Sequence, residues 1–166
     1  DTPMRSFDLM HSVNVRGTFA CSKACLPYLV KSENPHILNL SPPLNMDPLW
    51  FRDHLAYTMS KYGMSMCVLG MAAEFRSKGV AVNALWPRTV IDTAAISMLG
   101  DVVKADNCRT PAIMADAAHE IICRDSKTTT GNFFIDEDLL RTTGVKDFDA
   151  YAVKAGQPLM KDLFLD

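Results

Sequence analysis

Two short, largely apolar and β-prone runs, "HILNLS" at residues 36–41 and "VAVNALW" at 80–86, constrain this chain more than anything else in it. Each is too short for a stable helix. An apolar run without polar alternation reads as a strand covered on both faces, which is the habit of parallel sheets. Between them, from about Asp53 to Ser77, lies a segment of helical character that Gly79 closes. Strand, long helix, strand is a parallel βαβ unit. A third strand is expected in "GNFFID" (131–136), after a helix over Pro111–Arg124 whose proline suits a first turn. Upstream, Phe7–Lys31 reads as another long helix. Thr2-Pro3 marks its start, "SENP" its stop, and Pro27 a kink or its last turn. "PPLNMDP" (42–48) must be loop, residues 88–108 irregular or weakly helical, and the stretch from Glu137 onward mostly loop.

The expected fold class is therefore α/β, a doubly wound parallel sheet. Three strands with long apolar helices are too little sheet to stand alone. Nor is there a Gly-rich turn between a strand and a helix, the usual cradle for a pyrophosphate. Residues 1–166 are accordingly expected to be the C-terminal part of one larger domain, whose first βαβ units and Gly-rich loop lie outside them. The second long helix is apolar all round, through Tyr57, Met59, Tyr62, Met64, Met66, Val68, Leu69, Met71, Ala72 and Phe75. Such a helix should be buried all round. A second subunit is expected on the face turned from the sheet, giving a homodimer or homotetramer through the two long helices.

Composition excludes some classes. The net charge is −2 and no Lys/Arg cluster appears, so neither nucleic acid nor an anionic membrane is an expected partner. No apolar run approaches the roughly 18 residues of a membrane span. "DTPMRSFDLM" lacks the form of a secretory signal. Five cysteines, an odd number without paired spacing, suit reduced, buried thiols in an intracellular protein. Cys21 and Cys25 lie a helical turn apart, but no second Cys or His pair completes a metal site.

The chemistry rests on Tyr57 and Lys61. Positions four apart stack on one helix face, so the ammonium can sit beside the phenol. A nearby cation favours the phenolate, and a phenol tuned toward neutrality can exchange a proton with an alcohol or carbonyl oxygen. Ser41 ends one strand, "WPRTVIDT" follows the next, and Asn14 is an unexplained amide inside the first helix. All four features point to the carboxyl edge of one sheet, where parallel α/β proteins place their sites.

These residues resemble the short-chain dehydrogenase/reductase family. "VNVRGTF" is similar to its Asn-bearing helix, "ILNLS" to its serine strand and "AYTMSK" to its Tyr-x-x-x-Ser-Lys signature. "VAVNALWPRTVIDT" resembles the strand and loop that carry the nicotinamide, and "PAIMADAAHEII" with "TGNFFID" the closing helix and strand. "NLSPPLN", "KYGMSM" and "NALWPRT" look closest to a hydroxysteroid dehydrogenase-like subgroup. The resemblance implies a Rossmann-type fold and an oxidoreductase that interconverts a hydroxyl and a carbonyl group. Tyr57 would be the general acid/base, and Lys61 would lower its pKa and bind the nicotinamide ribose. Ser41 would hold the substrate oxygen and Asn14 a water that links Lys61 to solvent. Pro87, Thr89, Val90 and Ile91 would hold the nicotinamide, with Thr93 near the diphosphate. The expected cofactor is NADP(H) ahead of NAD(H), and the substrate a small alcohol or carbonyl compound, a lipid-like one among the options. A bacterial source would imply the cytoplasm, a eukaryotic one the peroxisome or mitochondrion. The other class of reading is a non-catalytic dimerisation or scaffold module.

Three departures from the pattern stand out. Pro42 occupies the place of the family's second serine, and Ser41 lies 16 residues before Tyr57. Arg88 replaces the glycine of the usual Pro-Gly pair. "DED" at 136–138 stands where Asp-Gly-Gly is common.

Overall fold

The computed structural model describes residues 2–98 and 100–165. The first long helix is a rod in three parts: α1 (Met4–His11), a π-helical turn over Ser12–Arg16, and α2 (Gly17–Leu29). The π turn holds Asn14 at its centre, and Pro27 falls in the last turn of α2. β1 (His36–Asn39) ends two residues short of Ser41. After the proline loop come a short α3 (Leu49–Arg52) and the long α4 (Leu55–Phe75). A 3-10 turn then leads to Gly79, whose φ of 69° is the left-handed conformation that ends helices and favours glycine. β2 (Ala81–Trp86), a short α5 (Ala94–Ser97), α6 (Ala112–Cys123), β3 (Phe133–Ile135) and α7 (Asp136–Thr142) follow.

The three strands form one parallel sheet in the order β1-β2-β3, with His36 opposite Ala81 and Ala84 opposite Phe133. Every residue of β2 is buried, whereas the flanking strands are half-buried. Side chains alternate across the sheet. On one face, Ile37, Val82, Ala84 and Phe133 pack under Val68, Met71, Ala72 and Phe75 of α4, with Leu26 and Leu29 of α2. On the other, Leu38, Leu85 and Phe134 pack against Ile113, Ala117 and Ile121 of α6 and Leu139 of α7. Helices thus cover both faces of a parallel sheet, the doubly wound α/β arrangement that the apolar runs imply.

One expectation, on the thiols, is corrected. The stretch from Glu137 is mostly loop as expected, with one helix at its start. Asp136, Glu137 and Asp138 form the first turn of α7, where acidic groups complement the helix dipole, while Leu139 and Leu140 bury against the α6 core. The thiols are free but mostly not buried: Cys21, Cys25 and Cys123 are exposed, Cys67 is intermediate and Cys108 is buried. Their helices touch the sheet with one face only, and in α2 the single buried residue is Ser22. In the single chain, α4 keeps one face uncovered. Leu55, Met59, Met66 and Leu69 form an exposed apolar row, because the sheet and the α1–α2 rod cover only part of its circumference.

Candidate active site

Tyr57 and Lys61 stand in the first turns of α4, so the helix carries them to the carboxyl edge of the sheet. Lys61 Nζ donates to the Leu40 carbonyl, just past β1, at 3.1 Å. The same ammonium lies 5.3 Å from the ring centroid of Trp86, the last residue of β2. Lys61 therefore bridges the ends of two neighbouring strands. Burial lowers its pKa, and the nearby Asp162 carboxylate works against that.

Tyr57 departs from expectation. Burial first, and Asp162 second, push its phenol up to about 12 rather than down. Lys61 is near enough in sequence to lower it, but in this chain desolvation of the phenolate is the stronger effect.

Asn14 is tied to α4 through Ser60. Its Nδ2 donates to Ser60 Oγ at 3.1 Å, and Ser60 Oγ donates to the Tyr57 carbonyl at 2.8 Å. Ser60 is fully buried. The π turn is thereby tied to the turn of α4 that bears the tyrosine. The two backbones also approach closely, since a Cβ placed on Gly63 would lie 2.5 Å from Val15 Cγ2. Glycine is required there for packing rather than for its dihedral freedom.

Ser41 is fully buried, and its hydroxyl has no hydrogen-bond partner among the described residues. It is not hydrogen-bonded to Tyr57. The proline loop is fixed instead through Ser65 Oγ, which donates to the Pro42 carbonyl at 2.7 Å, and through Tyr62, whose hydroxyl donates to the Asn45 carbonyl at 2.5 Å.

In the loop after β2, Pro87, Thr89, Val90 and Ile91 are buried and Thr93 is exposed at the head of α5. Several of their backbone groups are already engaged. Val90 N–H donates to the Met160 carbonyl at 2.9 Å, and the Val90 carbonyl accepts from Arg109 N–H at 3.0 Å. Arg88 N–H donates to Asp136 Oδ1 at 2.8 Å, while its guanidinium pairs with Asp138. Among the described residues, Thr89 Oγ1 is buried without a hydrogen-bond partner, and the N–H and C=O of Ile91 make no hydrogen bond.

The sequence did not announce the last segment of the site. Residues 160–165 run back across the loop, with Thr89 bridged to Lys161. Trp86 Nε1 donates to the Leu163 carbonyl at 2.9 Å, and the Phe164 ring stacks near Tyr57 at 6.3 Å between centroids. "PLMKDLFL" has no helical or strand period; the aromatic residue near its end is the one signal it carries. Among the described residues there is no group of three or more His, Cys, Asp or Glu that could hold a metal ion, and no helix long and apolar enough to cross a membrane.

Residues 1–121 match a family model described as enoyl-(acyl carrier protein) reductase. Over 165 residues the chain is 59 % identical to hydroxysteroid dehydrogenase-like protein 2 of Danio rerio, covering 99 % of this chain and 39 % of that protein. To the Rattus norvegicus protein of the same name it is 60 % identical, covering 100 % of this chain and 31 % of the relative. The chain thus spans about two fifths or less of the length of these relatives. Among solved structures, a Xanthomonas campestris protein described as a dehydrogenase superposes with a TM-score of 0.96 at 52 % identity, over 100 % of this chain and 61 % of that one. A short-chain dehydrogenase of Mycobacterium thermoresistibile gives 0.91 at 43 %, over 100 % and 59 %. The motifs, the doubly wound sheet and these matches agree: the chain belongs to the short-chain dehydrogenase/reductase family.

Proposed function

We propose that these residues carry the proton-transfer half of an NAD(P)-dependent oxidoreductase that interconverts a hydroxyl and a carbonyl group on a small molecule. The observation that carries this reading is the position of Lys61, with its ammonium on the Leu40 carbonyl and over the Trp86 ring, one helical turn from Tyr57. Tyr57 gives a proton to, or takes one from, the substrate oxygen. Lys61 spends one of its three N–H bonds on Leu40 and keeps two for a ribose hydroxyl. Ser41, whose buried hydroxyl has no partner among the described residues, is assigned to the substrate oxygen. Asn14 acts through Ser60, holding the turn that aims Tyr57.

The residues present fit the nicotinamide end of a dinucleotide. Thr89 Oγ1 and the backbone of Ile91 offer hydrogen-bonding groups with no partner among the described residues, as a carboxamide requires. Thr93 is assigned to the diphosphate side, and NADP(H) is taken ahead of NAD(H). The dinucleotide, when bound, would give the hydride to the carbonyl in its reduced form and take it from the alcohol in its oxidised form. We assign the phosphate-binding loop to sequence outside these residues, so that they form the C-terminal part of one domain. The exposed apolar rows of α4 and of the α1–α2 rod (Leu9, Val13, Phe19) are assigned to contacts between copies of the chain.

In the full-length protein, Tyr57→Phe is expected to cut turnover of an alcohol or carbonyl substrate by about 10²–10⁴-fold, the range for a lost general acid/base, while dinucleotide binding persists. Undiminished turnover would refute the assignment. A scaffold reading has one observation in its favour, the Phe164 ring stacked near Tyr57. Failure of the complete protein to bind either dinucleotide, with assembly intact, would select it.

A further inference from the structure

Residues 160–165 lie across the site as a strap anchored on both sides of Asp162. Before it, the Met160 carbonyl accepts from Val90 N–H at 2.9 Å, and Asp162 N–H itself donates to the Arg88 carbonyl at 3.1 Å. After it, the Leu163 carbonyl accepts from Trp86 Nε1 at 2.9 Å. Phe164 is then 2 % exposed, ringed by Tyr57, Trp50, Tyr62 and Trp86 at centroid distances of 6.3, 5.9, 5.3 and 5.8 Å. Its φ of 71° lies in the left-handed region that a phenylalanine rarely enters. Such a conformation persists where the surroundings over-determine it, as this aromatic cage does. The strap is thus built into the site, and the half-buried Asp162 side chain is placed by it.

The groups that face Asp162 come from several elements. Tyr57 and Lys61 face it from α4, Asp136 from the start of α7, and Cys108 from the segment before α6. Leu163 N–H donates to its Oδ1 at 2.7 Å. Arg88, whose carbonyl accepts from Asp162 N–H, turns its guanidinium to Asp138. Lys61 is therefore the side-chain cation whose attraction it feels.

We propose that Asp162 is a positioning residue of the Tyr57–Lys61 pair: the strap, bonded to Arg88 and Trp86 on either side of it, delivers its carboxylate to the end of the site where the Lys61 ammonium lies over the Trp86 ring. This rests on the reading of Tyr57 as the acid/base. The electrostatics agree. Asp162 is the second cause, after burial, of the rise of Tyr57 to about 12, and it opposes the lowering of Lys61 by burial. Burial, relieved in part by Leu163 N–H, takes Asp162 itself up to about 6, against the pull of Lys61. Above that pH the site carries an extra negative charge; below it the charge is gone.

The test uses the full-length protein labelled with ¹³C at aspartate carboxyls, with the Asp162 signal assigned by its loss in Asp162→Asn. Asp162 is expected to titrate near 6, and to move upward by about 0.5 pH unit or more when Lys61→Met removes the cation. Lys61→Gln serves if the methionine variant does not fold. In parallel, kcat/KM against pH should show an inflection near 6 that Asp162→Asn abolishes. A merely structural aspartate would lose stability on substitution and leave that profile unmoved. Titration with the ordinary carboxylates near 4, or a value near 6 indifferent to Lys61, would overturn the proposal. Absence of turnover in the wild-type protein, or full turnover in Tyr57→Phe, would instead refute the enzymatic reading. The carboxyl titration separates the two failures.

Discussion

Gly63→Ala puts the packing of the site to a direct test. A glycine in mid-helix is about 1 kcal/mol worse than alanine by propensity, so on an open helix face the change would stabilise. Here the new methyl carbon would lie 2.5 Å from Val15 Cγ2 and 3.1 Å from Cγ1. Val15 is β-branched and helical, so its χ1 is held in one well and the methyls cannot swing away. To reach ordinary contact at 3.4 Å, the π turn and α4 must part by most of an ångström. Overpacking of this kind costs about 1–3 kcal/mol, which exceeds the propensity gain. The expected net loss is about 1 kcal/mol. The separation has a second consequence. Asn14 neighbours Val15, and its 3.1 Å bond to Ser60 would stretch beyond hydrogen-bonding range. Turnover should therefore fall along with stability. Urea denaturation of the full-length protein should show a lower midpoint with an unchanged slope. Val15→Ala removes both offending methyls and leaves Val15 Cβ at 3.4 Å. Against that background Gly63→Ala should be harmless or stabilising, with a coupling energy above about 0.5 kcal/mol in the double-mutant cycle. A Gly63→Ala variant at least as stable as the parent, with full turnover, would refute the reasoning.

Other substitutions probe the charges. Arg109 is 5 % exposed and paired with Glu137 Oε2 at 2.5 Å, so Glu137→Gln should cost about 3–5 kcal/mol by stranding a buried cation, read from the denaturation midpoint. Burial would raise the Glu137 pKa, but Arg141 and Arg109 outweigh it and the net shift is downward; the contribution is present above the unfolded value of 4.5 and lost as pH falls through the lower folded one. Below that point the parent and Glu137→Gln should converge in stability. Asp162 has the opposite sign. Its folded value of about 6 exceeds the unfolded 3.8, so its stabilising effect is complete below 3.8 and gone above 6. Asp162→Asn should then be more stable than the parent at pH 7 by about 1–2 kcal/mol, after discounting for partial solvent screening, and a less stable variant there would contradict the burial argument. Iodoacetamide on the native chain should modify Cys21, Cys25 and Cys123 well before Cys108, which is buried with its thiol pKa raised by desolvation; peptide mass spectrometry reads the order.

What the sequence could disclose follows from how local each signal is. β2 was legible because five of its six residues are apolar, Asn83 being the exception, and all six are buried. The Tyr57–Lys61 pair was legible because one helical turn fixes their relation whatever surrounds them. The π turn was not, since a slipped hydrogen-bond register leaves no mark on hydrophobic period; only the amide at Asn14 hinted at it. α7 was missed because three consecutive acids resemble a solvated loop until β3 is known to stop at Ile135, which makes them a helix's first turn.

The strap shows the limit most plainly. Its backbone bonds go to Arg88 and Val90, and its aromatic residue is held by rings from α3, α4 and β2, so nothing within "PLMKDLFL" could specify its place. That limit bears on the chemistry too. Counting neighbours along a helix sets a lysine beside a tyrosine and leads to a lowered phenol. Three-dimensional packing buries that phenol and brings up a carboxylate from more than a hundred positions further along the chain, and the sign reverses. A residue pair can thus be read from spacing, whereas its proton affinity depends on what the fold brings around it. For this site, burial does most to raise the phenol, and the Asp162 carboxylate adds to it.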